Sequence, residues 1–143
     1  MKKIIAGLGL ILSTAIFACP NLEGVFVCTD AQSGQSQRMT IEQDGNVYTQ
    51  ITSEGEIQIN ADGAGRNFQV DVGGVTLNGL LTASCSASQL LIDINGRGNY
   101  QGTEFTFTEK SESSINAQGH LIQHAKGNSA GQEFETNTVC TRE

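Results

Sequence analysis

The chain has 143 residues, 38% of them hydrophobic and 6% aromatic, with 8 Lys and Arg against 15 Asp and Glu and a formal net charge of −7. That length fits one domain. The acidic balance argues against nucleic acid or an anionic membrane surface as a partner.

Residues 1–18 read as a signal peptide. Lys2 and Lys3 give a positive start, Ile4–Ile16 is nearly all apolar, and Ala18 offers a small residue for cleavage. Such a run is too short for a membrane span, and nothing after it is apolar enough to cross as a helix. The mature chain, residues 19–143, is therefore expected as a single domain in the bacterial periplasm or secreted. Loss of Lys2 and Lys3 leaves 6 basic against 15 acidic residues, a net charge of −9. Ile16-Phe17-Ala18-Cys19 is similar to the lipobox of bacterial lipoproteins, so an outer-membrane lipid anchor at Cys19 is the alternative. Four cysteines, Cys19, Cys28, Cys85 and Cys140, make two disulfides if all are retained.

Strand patterning begins at Asn21–Thr29, where Leu22, Gly24, Phe26 and Cys28 share one face. Asp30–Gln37 is a polar loop. From Met39 to Val72 apolar and polar residues alternate with period two, broken by turns at Asp44-Gly45-Asn46, Ser53-Glu54-Gly55 and Asp62-Gly63-Ala64-Gly65. The inward set is Met39 and Ile41, then Val47, Thr49 and Ile51, then Ile57, Ile59 and Ala61, then Phe68, Val70 and Val72. Val75–Leu77 and Leu80–Cys85 read as one long bent strand or as two short strands separated by an Asn78-Gly79 type I′ turn, of which the turn is favoured. Leu90, Ile92 and Ile94 face in, and Asn95–Gly98 closes the next hairpin. Phe105 and Phe107 fall on the parity opposite to Tyr100, which predicts a bulge near Gly102. Lys110–Ser114 and Lys126–Gly131 read as turns, and Phe134–Cys140 as the last strand, with Thr136 and Thr138 adding inward hydroxyls.

The fold class is all-β: an antiparallel up-and-down meander, expected to close into a barrel of roughly 8 to 10 short strands. Closure pairs the first strand with the last. Counting strand directions then predicts Cys19–Cys140 and Cys28–Cys85.

No constellation for catalysis survives the parity test, so an enzyme is not expected. Of Glu42, Asp71, Asp93, Glu104, Glu133 and Glu135, most fall on the outward parity. His120 and His124 would stand about 13 Å apart on a strand at roughly 3.3 Å per residue, too far to share a metal. The cysteine spacings do not resemble a zinc site, Asp62–Gly65 lacks the ligands of a calcium loop, and no cofactor is expected.

Leu22-x-Gly24-Val25-Phe26 at the start of a barrel, with a late Cys140 and Arg142, resembles the lipocalin/calycin group. The resemblance implies that Gly24 and Phe26 stand for that group's opening Gly-x-Trp, with Arg142 packing against them, and that the protein carries a small hydrophobic molecule. Phe26-Val27-Cys28 and Ser129–Phe134 resemble, more loosely, the periplasmic inhibitors of C-type lysozyme, which implies a basic protein partner. The expected function is thus a small envelope binding protein with an apolar ligand inside the barrel, lined by Ile41, Ile51, Ile59, Phe68, Val70, Leu90, Ile92, Phe105, Phe107 and Phe134. The alternatives are a protein-interaction module and a structural protein with a filled core.

Overall fold

A computed structural model describes residues 19–143; the expected signal peptide at 1–18 lies outside them. Ten strands follow in chain order: β1 (Gly24–Asp30), β2 (Ser36–Asp44), β3 (Val47–Thr52), β4 (Gly55–Asn60), β5 (Gly65–Val72), β6 (Val75–Cys85), β7 (Leu90–Tyr100), β8 (Thr103–Ile115), β9 (Leu121–Ser129) and β10 (Gln132–Arg142). They form one antiparallel sheet in the order β4-β3-β2-β1-β10-β9-β8-β7-β6-β5. The expected pairing of first strand with last is present, with Phe26 opposite Arg142 and Cys28 opposite Cys140.

The barrel nevertheless does not close. The sheet curls through 321° and stops, with β4 and β5 as free edges. The break falls at Asp62-Gly63-Ala64-Gly65, which reads as a hairpin in the sequence and is not one. The Gly63 amide donates to the Ala83 carbonyl of β6 at 2.8 Å, and Gly65 stands opposite Thr82. Asp62 accepts two hydrogen bonds from the Arg66 guanidinium, at 2.7 and 2.6 Å, and one from the Ala64 amide at 3.0 Å. These bonds carry the chain across to β6 instead of folding it back on β4. The two edges therefore meet only near Ala61 and diverge from there.

Successive side chains part to two faces. The inner face is fully packed at one end, where Leu22, Phe26, Ile41, Tyr48, Leu90 and Leu121 are each 2% exposed or less. Burial of each such side chain stabilises by about 1.5–3 kcal/mol. The chain before β1 plugs this end. The Tyr48 hydroxyl donates to the Pro20 carbonyl at 2.7 Å, and the Gln43 side chain accepts from the Leu22 amide and donates to Pro20.

The cysteines pair as Cys19–Cys85 and Cys28–Cys140, with Cα separations of 5.1 and 3.8 Å. The expected pairing, Cys19–Cys140 with Cys28–Cys85, is wrong. β10 runs past Cys140 to Arg142, so the residue opposite Cys140 lies inside β1, at Cys28. Cys19, in the plug, is left beside the end of β6.

Gly79 lies within β6, Gly96 and Gly98 within β7 and Lys110–Ser114 within β8, so none of these expected turns is one. Of Lys126–Gly131, the first four residues belong to β9 and the chain turns at Ala130-Gly131. The β7–β8 turn is at Gln101-Gly102, both with positive φ, so no bulge is needed near Gly102. The mid-strand glycines serve the curl of the sheet. A β-carbon on Gly127 would overlap the Thr108 carbonyl, and one on Gly79 would lie 2.6 Å from the Gly96 α-carbon. Tight curvature of this kind needs residues without side chains on the concave side.

Candidate functional site

Above the plugged end, the half-barrel holds a partly open cavity of about 240 Å³. Its lining comes from both arms of the sheet. Gln50, Ile57 and Ile59 face it from β3 and β4, and Leu81, Ile92 and Ile94 from β6 and β7. The opposite wall is polar: Glu109, Ser111 and Ser113 of β8, Gln123 and His124 of β9, and Thr136 and Thr138 of β10, with Ala125 among them. These residues are in register across the strands, as Ile94–Glu109–Gly127–Phe134 and as Ser113–Gln123–Thr138. Gln123 donates to the Ser113 hydroxyl at 3.5 Å.

Glu109 is the one carboxylate on this lining, and no Lys or Arg accompanies it. Among the described residues it takes part in no ion pair. Desolvation pushes its pKa above the ordinary carboxylate value.

Toward the open end, the cavity is roofed by aromatic rings seated on glycines. Phe68, Gly79, Gly96 and Phe107 form one cross-strand row on β5 to β8. The two rings meet edge to face over the glycines, with centroids 6.5 Å apart. Phe105 covers Gly98 in the next row and lies 6.5 Å from Phe107. Such pairs contribute about 0.5–1.5 kcal/mol beyond their burial.

The residues expected to line an apolar interior separate into five groups. Ile59 and Ile92 line the cavity. Ile41 and Leu90 lie beneath it in the fully packed core. Phe68, Val70, Phe105 and Phe107 belong to the roof and the free edge, while Phe134 stands opposite Gly127 beside the Glu109 level. Ile51 does not face inward, and neither does Thr49. Tyr48 occupies the inner position of β3, opposite Ile59, and so turns Thr49 and Ile51 outward. The alternation Val47-Thr49-Ile51 looks inward only if Tyr48 is counted as a surface residue.

Glu109, Ser111 and Gln123 escape a sequence reading that places a turn at Lys110–Ser114. The signal that finds them is parity. Phe105 and Phe107 face in, so 109, 111 and 113 must follow on an unbroken strand.

A larger groove, about 820 Å³, runs by Asp93, Asn95, Lys110, Lys126 and Glu135 and reaches Glu109 past the side-chain-free Gly127. It is an open, charge-paired surface. Lys110 stands 3.4 Å from Asp93, and His124 lies 2.7 Å from Glu135 and 3.6 Å from Glu112. The described residues contain no group of three side chains able to hold a metal. No helix among them is long and apolar enough to cross a membrane.

At the plugged end, the Arg142 guanidinium lies over the Phe26 ring, 4.9 Å from its centroid, and donates to the Glu23 carbonyl at 2.9 Å. A β-carbon on Gly24 would collide with that guanidinium. Gly24, Phe26 and Arg142 thus make one contact set, within a disulfide-bonded, curled antiparallel sheet of barrel-like form. In comparisons with known proteins, no family model matches the chain and no curated protein matches it in sequence.

Proposed function

We propose that this is a small exported binding protein of the cell envelope that holds a small ligand in the lumen of its half-barrel. The observation that supports this most is the cavity of about 240 Å³ with one apolar and one polar wall. Its volume is just below the usual range for small-molecule sites, which suits a compact or narrow ligand. The gap between β4 and β5 supplies an entrance along the side of the sheet. Opposed walls favour an amphipathic molecule over the purely apolar one that the alternation of strand residues suggests.

Two disulfides support an oxidising compartment and therefore export. Cys19 has its sulfur in the bond to Cys85. An acyl thioether at the same atom would be incompatible with that bond, which favours release over a lipid anchor. The arrangement of Gly24, Phe26 and Arg142 is what a lipocalin-like ancestry would leave, and carriage of small molecules is what it would imply.

Native mass spectrometry of the exported protein tests the reading. A retained adduct that dissociates on unfolding is expected. A chain that carries no adduct, and whose lumen amides do not shift in NMR spectra when envelope extract is added, would refute it.

A further inference from the structure

We infer that the lumen selects ligands with a protonated amine head group, with Glu109 as counter-ion and the isoleucine wall taking the apolar part. The inference rests on the lumen being a ligand site.

Glu109 faces the cavity from the middle of β8, away from either rim. Its in-register neighbours are uncharged. Ile94 stands beside it on β7, Gly127 on β9 and Phe134 beyond, while Phe107 and Ser111 flank it on its own strand. Gln50 and Ile57 face the same cavity from the other arm. Lys110 and Lys126 belong to the outer face, exposed there, with Lys110 beside Asp93. His124 also borders this cavity, but its ring is engaged by Glu135 at 2.7 Å and Glu112 at 3.6 Å, so among the described residues no basic group pairs with the Glu109 carboxylate.

A half-buried carboxylate without a cation is costly unless something compensates it. Gly127 is the reason the carboxylate has room, since no side chain stands next to it on β9. Around it, the Ser111, Ser113, Thr136 and Thr138 hydroxyls and the Gln50 and Gln123 amides can all accept hydrogen bonds. An ammonium group has three donors and no acceptor, and so matches one carboxylate ringed by neutral acceptors. An anionic head would meet Glu109 with like charge. A divalent cation would need more carboxylate or imidazole ligands than the lumen provides. The facing wall of Ile57, Ile59, Leu81, Ile92 and Ile94 then takes a hydrocarbon portion. The protein's net charge of −7 adds a long-range bias toward cationic ligands.

The test uses three probes with one tail: octylamine, octanol and octanoate, titrated into the disulfide-bonded protein near neutral pH and followed by NMR and calorimetry. Octylamine is expected to bind about ten-fold or more tighter than octanol, as a charge-assisted hydrogen bond allows, with octanoate weakest. Shifts should concentrate on Ser111, Ser113, Gln123 and Thr136. Glu109→Gln, close in shape and uncharged, should abolish the preference for the amine while leaving octanol binding as it was. Equal binding of amine and alcohol, or a preference that survives Glu109→Gln, would overturn the head-group inference and leave the lumen as a site. If none of the three probes shifts the lumen resonances of the folded protein, both readings fail.

Discussion

Removal of the Cys28–Cys140 bridge is the perturbation whose size follows most directly from the fold. The bridge spans 112 residues and joins two positions directly opposite each other on β1 and β10. In the chain-entropy account a loop of that length stabilises by about 4.8 kcal/mol; the 66-residue loop of Cys19–Cys85 gives about 4.3 kcal/mol. The pair Cys28→Ala/Cys140→Ala should cost more than this difference suggests. Cys140 is fully buried and Cys28 nearly so, and truncating both leaves a small cavity between the sheet and Leu121. Cys19→Ala/Cys85→Ala loosens the plug but leaves β1 paired with β10. The two losses should sum to less than the loss in the quadruple variant, because the loops share residues 28–85 and each bridge shortens the loop that the other closes. Urea titration of wild type and the three variants measures this, and peptide mapping without reduction identifies the bridges. A Cys19–Cys140 linkage, or a loss below about 1 kcal/mol for Cys28→Ala/Cys140→Ala, would refute the reasoning.

Gly127→Ala and Gly79→Ala should each destabilise by about 1–3 kcal/mol in denaturant titrations, because the added carbon meets backbone of the neighbouring strand. Gly96→Ala, where the carbon would lie 2.7 Å from the Phe107 ring, should additionally disturb the ring-current shifts of Phe68 and Phe107. Tyr48→Phe removes the donor to Pro20 and should lower stability by about 1 kcal/mol. Burial pushes the Tyr48 pKa up to about 12, so the phenol should resist alkaline titration until unfolding, as read by ultraviolet absorbance. Glu109→Gln should raise the melting temperature near neutral pH. The folded-state pKa of Glu109 is raised, so its stabilising contribution is full below the unfolded value and lost as pH rises through the folded one. The variant's advantage should accordingly vanish in acid.

The meander was legible because its cause is local. Period-two alternation on β1, β2 and β4 places Phe26, Met39, Ile41 and Ile59 inside, where the structure has them. The outward parity of Glu42, Asp71 and Glu104 was equally readable, and so was the pairing of the first strand with the last. The failures have three physical sources. Glycine serves both turns and tight curvature, and nothing adjacent to Gly79, Gly96 or Gly127 tells the two apart; the distinguishing partners, Phe107 and the Thr108 carbonyl, come from other strands. The gap between β4 and β5 depends on where the Gly63 amide finds its acceptor, at Ala83, twenty residues along the chain. Disulfide pairing depends on register, and whether Cys140 stands at the end of β10 or short of it decides between Cys19, before β1, and Cys28, inside it. Of the candidate site, the isoleucine wall and the Thr136 and Thr138 hydroxyls could be read from the strands, but Glu109, Ser111 and Ser113 were hidden by reading a segment of β8 as a turn.

Amide hydrogen exchange resolved by residue tests the open half-barrel most directly. In β1 and β10, paired on both sides, protection should be continuous. Along β4 and β5 every second amide, the one facing the gap, should exchange rapidly, while its neighbours bonded to β3 and β6 stay protected. Unbroken protection through β4 and β5 would mean that these strands pair with each other, and that the sheet is a closed barrel with no side entrance to its lumen.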